Sequence, residues 1–142
     1  MVQDQRRRFA LPEQLFLFAM GGAAYLAAEL AWRGETHWTM FFAGGACFCL
    51  LVWLEARPGL TVAAGAAWGA AGITVLELAV GQACLTLLGV RVWDYRAEWA
   101  DIAGFVCPKY TVLWYLLCLW LLSCVRLART LPQRLPQPAA GF

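Results

Sequence analysis

The feature that most constrains this chain is a set of four apolar runs, each long enough to cross a bilayer. A hydrocarbon core about 30 Å thick needs about 17–25 apolar residues when each adds 1.5 Å of helix. The runs are residues 15–32, 38–54, 60–90 and 108–125. Of the 142 residues, 62% are apolar and only 14% are charged, so little polar surface remains to cover a soluble globule. The sequence therefore predicts an all-α integral membrane protein with four transmembrane helices in two hairpins.

The segments between the runs predict how the chain is arranged in the membrane. Residues 33–37 and 57–59 read as short turns, and residues 91–107 mix aromatic with charged side chains, which favours an interfacial segment before the last helix. We expect a cytoplasmic tail over residues 1–14, a membrane domain over 15–125 and a disordered tail over 126–142. Seven basic residues fall on the side of the termini and four on the other, which predicts that both termini are cytoplasmic, in a bacterial inner or plasma membrane.

Two glutamates, Glu29 and Glu77, lie well inside the first and third runs. An ionised carboxylate in hydrocarbon costs about 2.5 kcal/mol or more, so each must be paired, protonated or placed at a polar cavity. For Glu29 an ion pair with Arg33, four residues along the helix, is an equally good explanation. No basic residue lies within one helical turn of Glu77, so its partner must come from another element. The candidates are Arg33, Arg91, Lys109, Tyr95 and, through a shared proton, Glu29.

A stripe of small residues follows one side of the third run. Gly65, Gly69 and Gly72 recur at helical spacing, which in membranes indicates close helix contact. The stripe could serve packing within the chain or a dimer face.

Several short motifs resemble one known family. The segment Val92-Trp93-Asp94-Tyr95-Arg96, followed by residues 102–107 and by Leu113-Trp114, resembles the C-terminal pattern of the family called putative ABC-transporter type IV. Vertebrate transmembrane protein 229 relatives resemble the same family. Upstream, residues 74–77 with Gly81, and residues 21–29, also match its pattern, so that the resemblance covers residues 16–122.

The resemblance implies a polytopic fold with polar positions in the membrane, and a transport-related role without an assigned substrate. We expect Trp93, Asp94 and Tyr95 to roof a polar pocket that contains both glutamates. In this hypothesis the glutamates bind a cation or proton, and Arg91 and Asp94 help to position it.

Other kinds of site find no support in the sequence. No phosphate-binding glycine loop occurs, so ATP-driven transport would need a separate ATPase. No catalytic motif is present, and the single histidine and scattered cysteines predict neither a metal site nor another cofactor. The net charge of +2 is too small to indicate a nucleic-acid partner.

Three functions are consistent with these observations. The first is a small permease-like or ligand- and ion-binding membrane protein with an intramembrane acidic pocket, which works as a homo-oligomer or with other membrane subunits. The second is a non-catalytic subunit or assembly factor of a larger membrane complex, in which the glutamates pair with a neighbour. A lipid-modifying enzyme using the carboxylates as acid and base is less well supported, because no nucleophile accompanies them.

Overall fold

The computed structural model describes residues 10–134, which form four α-helices. The helices are α1 (Leu11–Arg33), α2 (Thr39–Glu55), α3 (Val62–Leu88) and α4 (Pro108–Arg134). Within this part of the chain the only β pairing is an isolated bridge between Ile102 and Val106. For residues 10–134 the prediction of an all-α fold with four helices is confirmed.

Three of the four helices are long and apolar enough to cross a membrane. These are α1, α3 and the first 20 residues of α4. The fourth, α2, has 17 residues, which gives a length of about 26 Å and places it at the lower limit for a crossing. Four crossings therefore remain a prediction.

The first helix begins before its apolar run. Pro12 occupies its first turn, where a missing N–H is harmless, and the Glu13 carboxylate accepts a hydrogen bond from the Ala10 N–H at 3.0 Å. At the other end Gly34 adopts a left-handed conformation (φ 72°), and its N–H caps the helix by donating to the Leu30 carbonyl. Residues 11–14 of the expected N-terminal tail are therefore helical, and residues 1–9 lie outside the described part of the chain.

The last helix begins at Pro108 and continues beyond the apolar run to Arg134. Residues 126–134 of the expected disordered tail are thus helical, and residues 135–142 lie outside the described residues. The Arg126 guanidinium donates to the carbonyl of Leu60, two residues before α3 begins, which fixes this end of α4 to the α2–α3 connection.

The helices pack as two hairpins. α1 packs along α2 and α3 along α4, while α2 also contacts α3; within residues 10–134 the backbone of α1 approaches neither α3 nor α4 closely. Leu51, Ile73 and Cys118 belong to the buried cluster that joins α2, α3 and α4. This arrangement leaves space between α1 and the second hairpin.

Glycines allow close approach within each hairpin. A Cβ at Gly45 would lie 2.7 Å from the carbonyl oxygen of Phe18, and one at Gly21 would meet the Phe48 side chain, so α1 and α2 are in contact almost backbone to backbone.

The predicted glycine stripe on α3 also faces neighbours within the chain. Gly65 faces Leu122 and Gly69 faces Cys118 of α4, and Gly72 faces Leu50 of α2.

Candidate ligand-binding cavity

A cavity of about 150 Å³ opens between α1, α2 and the second hairpin. Residues from all four helices and from the α3–α4 connection line it. They are Gly21, Tyr25, Glu29, Arg33, Met40, Ala43, Gly44, Cys47, Phe48, Leu51, Ile73, Leu76, Glu77, Trp93, Tyr95, Trp114, Leu117 and Leu121. Both glutamates thus line the cavity, together with Trp93 and Tyr95, two of the three residues predicted to cover it.

Glu77, which lines this cavity, has an unsatisfied carboxylate oxygen. Its Oε2 is buried and makes no hydrogen bond within residues 10–134. The Tyr95 hydroxyl and the Trp114 indole N–H are placed beside this carboxylate as donors, but neither reaches Oε2 with hydrogen-bond geometry. A buried acceptor without a partner lowers the stability of the fold, which makes this oxygen a candidate atom for ligand binding.

The basic residues considered as partners for Glu77 are all engaged elsewhere. Arg33 pairs with Glu29 at 2.9 Å, Lys109 with Glu98 at 2.7 Å, and Arg91 lies 4.0 Å from Asp94. The negative charge of an ionised Glu77 therefore has no counter-ion among the described residues.

Glu29 is in the opposite situation. Besides the ion pair with Arg33, its carboxylate accepts a hydrogen bond from the Thr36 hydroxyl at 2.6 Å. Its side chain is only 12% exposed. The local explanation suggested by the helical spacing of Glu29 and Arg33 is what the structure contains, and this pair contributes little net charge to the cavity.

Aromatic side chains form much of the remaining wall. Tyr25 lies one turn before Glu29 on α1 and is within electrostatic range of both glutamates. Tyr95 stacks on Tyr110 with ring centroids 4.3 Å apart. Burial, followed by the nearby Glu77 charge, raises the pKa of the Tyr95 phenol, which therefore stays neutral near pH 7.

Trp114 supplies a second unsatisfied group. Its indole Nε1 is buried and has no hydrogen-bond partner in the described part of the chain. A buried tryptophan normally finds an acceptor for this N–H. The lining residues of the cavity therefore include one with an unpaired acceptor on α3 and one with an unpaired donor on α4.

The connection between α3 and α4 holds Trp93 and Tyr95 in place. The Trp93 Nε1 donates to the Phe105 carbonyl at 3.0 Å, and the Tyr95 N–H donates to the Gly104 carbonyl at 2.8 Å. The Phe105 ring is almost fully buried and lies against Gly81 of α3, where a Cβ would overlap it. The aromatic end of the cavity is therefore anchored to the helix that carries Glu77.

Arg91 and Asp94 lie outside the cavity lining. Asp94 forms a bidentate ion pair with Arg96, with nitrogen–oxygen distances of 2.5–2.9 Å. These hydrogen bonds lower the pKa of the Asp94 carboxyl to about 2. Arg91 lies over the Phe105 ring, 4.5 Å from its centroid. Both residues stabilise the connection from outside the cavity, whereas the prediction from the sequence was that they position a ligand in it.

Tyr25 and Trp114 were not predicted as site residues from the sequence. Tyr25 shares the helical face of Glu29, which is a usable signal, whereas Trp114 reaches Glu77 only through the packing of α4 on α3. Within residues 10–134 no group of three or more histidine, cysteine or acidic side chains is placed to hold a metal ion.

The fold and the cavity define the class: an α-helical integral membrane protein with a partly polar cavity among its helices. Residues 16–139 match the family described as Putative ABC-transporter type IV, and the chain therefore belongs to that family. The matched region includes Glu29, Glu77 and the whole α3–α4 connection. No curated protein and no solved structure matches the chain. The resemblance to transmembrane protein 229 relatives stays a prediction.

Proposed function

We propose that this chain is a permease-like component of a membrane transport system, and that its cavity binds a small cation or a proton at Glu77. The observation that carries the proposal is that Glu77 lines the cavity and that its buried Oε2 has no hydrogen-bond partner among residues 10–134. A carboxylate in this setting binds a cation strongly, because little water competes for it.

The depth of Glu77 also fits a binding site along a transport path. The residue lies 11 positions before the end of α3 at Leu88, roughly 16 Å along the helix axis. Ionisable residues at such depth in membrane proteins mark substrate and ion pathways. The protein itself would carry out no chemistry on the ligand.

The proposed system needs other components. The chain has no nucleotide-binding loop, so ATP would act through a separate ATPase. One chain offers a cavity and only four helices, and a continuous path would be completed by a homo-oligomer or by other membrane subunits.

Cation binding can be tested on the purified full chain in dodecyl maltoside. Thermal unfolding is followed while the chlorides of sodium, potassium and ammonium, and separately pH, are varied. We expect at least one cation or the proton to raise the unfolding temperature of the native chain, because a ligand bound only by the folded state stabilises it. The effect should disappear in Glu77→Gln and persist in Glu35→Gln, which makes the same change at an exposed residue outside the cavity. Equal responses in all three proteins would overturn the proposal.

The second candidate is a non-catalytic subunit of a membrane complex. The same unpaired oxygen could receive a basic side chain from a neighbouring protein. In that case Glu77→Gln would insert normally into membranes but lose a co-purifying subunit, and the purified native chain would bind no cation. The two measurements together separate the two functions.

A further inference from the structure

We infer that the ligand is a small organic ammonium compound that also carries an oxygen acceptor. This inference rests on the proposed function and specifies the chemical class of its ligand. Three features of the cavity support it: its net charge, the nature of its walls and its two unsatisfied groups.

The charge balance favours a monovalent cation. Glu29 is neutralised by Arg33 and bonded by Thr36, so an ionised Glu77 leaves one uncompensated negative charge. A divalent ion would leave excess positive charge in an apolar setting, which is as costly as the unpaired carboxylate.

The walls favour an organic cation over a bare inorganic one. A hard metal ion needs about six oxygen ligands, and the lining offers far fewer beyond the carboxylates. Instead the lining contains five aromatic side chains: Tyr25, Phe48, Trp93, Tyr95 and Trp114. Aromatic rings near a carboxylate are the surroundings in which proteins bind alkylated ammonium groups.

The size and the unpaired groups restrict the ligand further. A cavity of about 150 Å³ matches the one that accommodates benzene in an engineered protein, so a ligand of roughly six heavy atoms fits. An ammonium group offsets the charge of the Glu77 carboxylate and, where it carries N–H bonds, donates to Oε2. An oxygen acceptor elsewhere on the ligand accepts from the Trp114 Nε1. Both unsatisfied groups are then used by one molecule.

Choline and tetramethylammonium separate these features. Choline has a hydroxyl oxygen and tetramethylammonium has none, and potassium is the inorganic control. Binding is measured calorimetrically on the full chain in dodecyl maltoside, which contains no nitrogen. We expect the affinity to fall from choline to tetramethylammonium to potassium. Glu77→Gln should lower the affinity for both organic cations by about tenfold or more, as expected for one charged contact.

Trp114→Phe tests the acceptor. The variant keeps an aromatic ring but removes the N–H, so it should weaken the binding of choline more than that of tetramethylammonium and remove the preference between them. Trp120→Phe is the matched control, because Trp120 lies on the same helix, is 62% exposed and is not in the lining. Equal loss for both ligands in Trp114→Phe would overturn the role of the indole N–H.

Other outcomes distinguish this inference from the proposed function. Potassium or protons binding more tightly than both organic cations, with the same dependence on Glu77, would overturn the ligand class and leave cation binding intact. Absence of any cation effect would overturn both.

The ammonium group could come from a free amine or from a lipid headgroup. Phosphatidylethanolamine and phosphatidylglycerol are therefore added separately to the same micelles, and the unfolding temperature is measured. Protection by phosphatidylethanolamine alone that requires Glu77 assigns the site to a headgroup, and protection by free choline assigns it to a free amine. Failure of both would overturn the inference.

Discussion

Single residues determine how the charges around the cavity are balanced. Arg33 compensates Glu29, and Arg96 compensates Asp94, with short ion pairs in both cases. Glu77 alone among these carboxylates retains a buried oxygen without a partner. Ion pairs at the surface contribute little to stability, whereas an unsatisfied buried group carries a real cost. This difference is the reason that we propose Glu77 as the residue that binds the ligand.

The Asp94–Arg96 pair predicts how the α3–α4 connection responds to pH. The pKa of Asp94 is lowered in the folded chain to about 2. The stabilising effect of this carboxylate is therefore complete above its ordinary pKa, near pH 4, and is lost as the pH falls towards 2. We expect the amide protons of Tyr95 and Gly104 to become less protected over this range, as measured by hydrogen exchange corrected for its intrinsic pH dependence.

Asp94→Asn provides the comparison for this prediction. The variant should show weaker protection of the same amides at neutral pH and a smaller change between pH 4 and pH 2. Lys109, which pairs with Glu98 in the same region, remains unchanged in the variant and keeps that second ion pair in place. An identical pH profile in the two proteins would show that Asp94 does not hold the connection.

The sequence predicted part of the cavity from depth and residue type. Glu29, Glu77, Trp93 and Tyr95 line one cavity, because helices that alternate in direction bring residues of similar depth to the same level. Which way each side chain points in the connection depends on its turns and on the left-handed Gly104 (φ 74°), and local sequence does not encode these well.

At the scale of helices, two kinds of glycine contact carry different energetic consequences. A Cβ at Gly45 would lie 2.7 Å from the Phe18 carbonyl oxygen, which is fixed by α1. A Cβ at Gly72 would meet only the end of the flexible Leu50 side chain, which can move aside. Backbone atoms cannot be displaced without separating the helices.

We therefore expect Gly45→Ala to lower the free energy of unfolding by about 1–3 kcal/mol, the usual effect of overpacking. Gly72→Ala is the matched control and should be neutral or stabilising by up to about 1 kcal/mol, since alanine favours a helix. Unfolding of both variants in mixed micelles with increasing dodecyl sulfate measures the difference. Equal destabilisation would mean that the two helix contacts are equally rigid.

The helices themselves were predicted closely, and the deviations have local causes. The start of α4 at Pro108 follows from the proline, whereas α1 begins at Leu11 because Pro12 and Glu13 cap it outside the apolar run. Hydropathy detects the apolar part of a helix and not its polar ends, which is why the ends of α1 and α4 were placed too far inward.

At the scale of the whole molecule, the number of crossings depends on α2. Its 17 residues span about 26 Å, so the bilayer must thin locally if α2 crosses it. The close packing of α2 against α1 makes crossing the expected result, because a helix paired along its length with a spanning helix shares its depth.

This topology predicts which loops share a side. Cysteines introduced at Glu35 and Ala97 should react with a membrane-impermeant maleimide from one side, and a cysteine at Pro58 from the other; all three positions are exposed. Mass spectrometry reads each site separately, so the native cysteines remain in place. Reaction of the Glu35 and Pro58 positions from the same side would show that α2 does not cross, and labelling of Pro58 from outside would reverse the predicted orientation of the termini.

The unpaired Glu77 oxygen also lowers the free energy of unfolding of the whole molecule. Replacing Glu77 by leucine removes a buried acceptor without a partner and fills part of the cavity with apolar atoms. Relieving one such group is worth about 1–3 kcal/mol, so we expect Glu77→Leu to raise the free energy of unfolding by about this amount while abolishing cation binding. Thermal unfolding and calorimetric titration of the same preparation measure both effects. A more stable variant that still binds the cation would exclude Glu77 as the binding residue. A less stable variant would show that Tyr95 and Trp114 already satisfy the Glu77 carboxylate when no cation is bound.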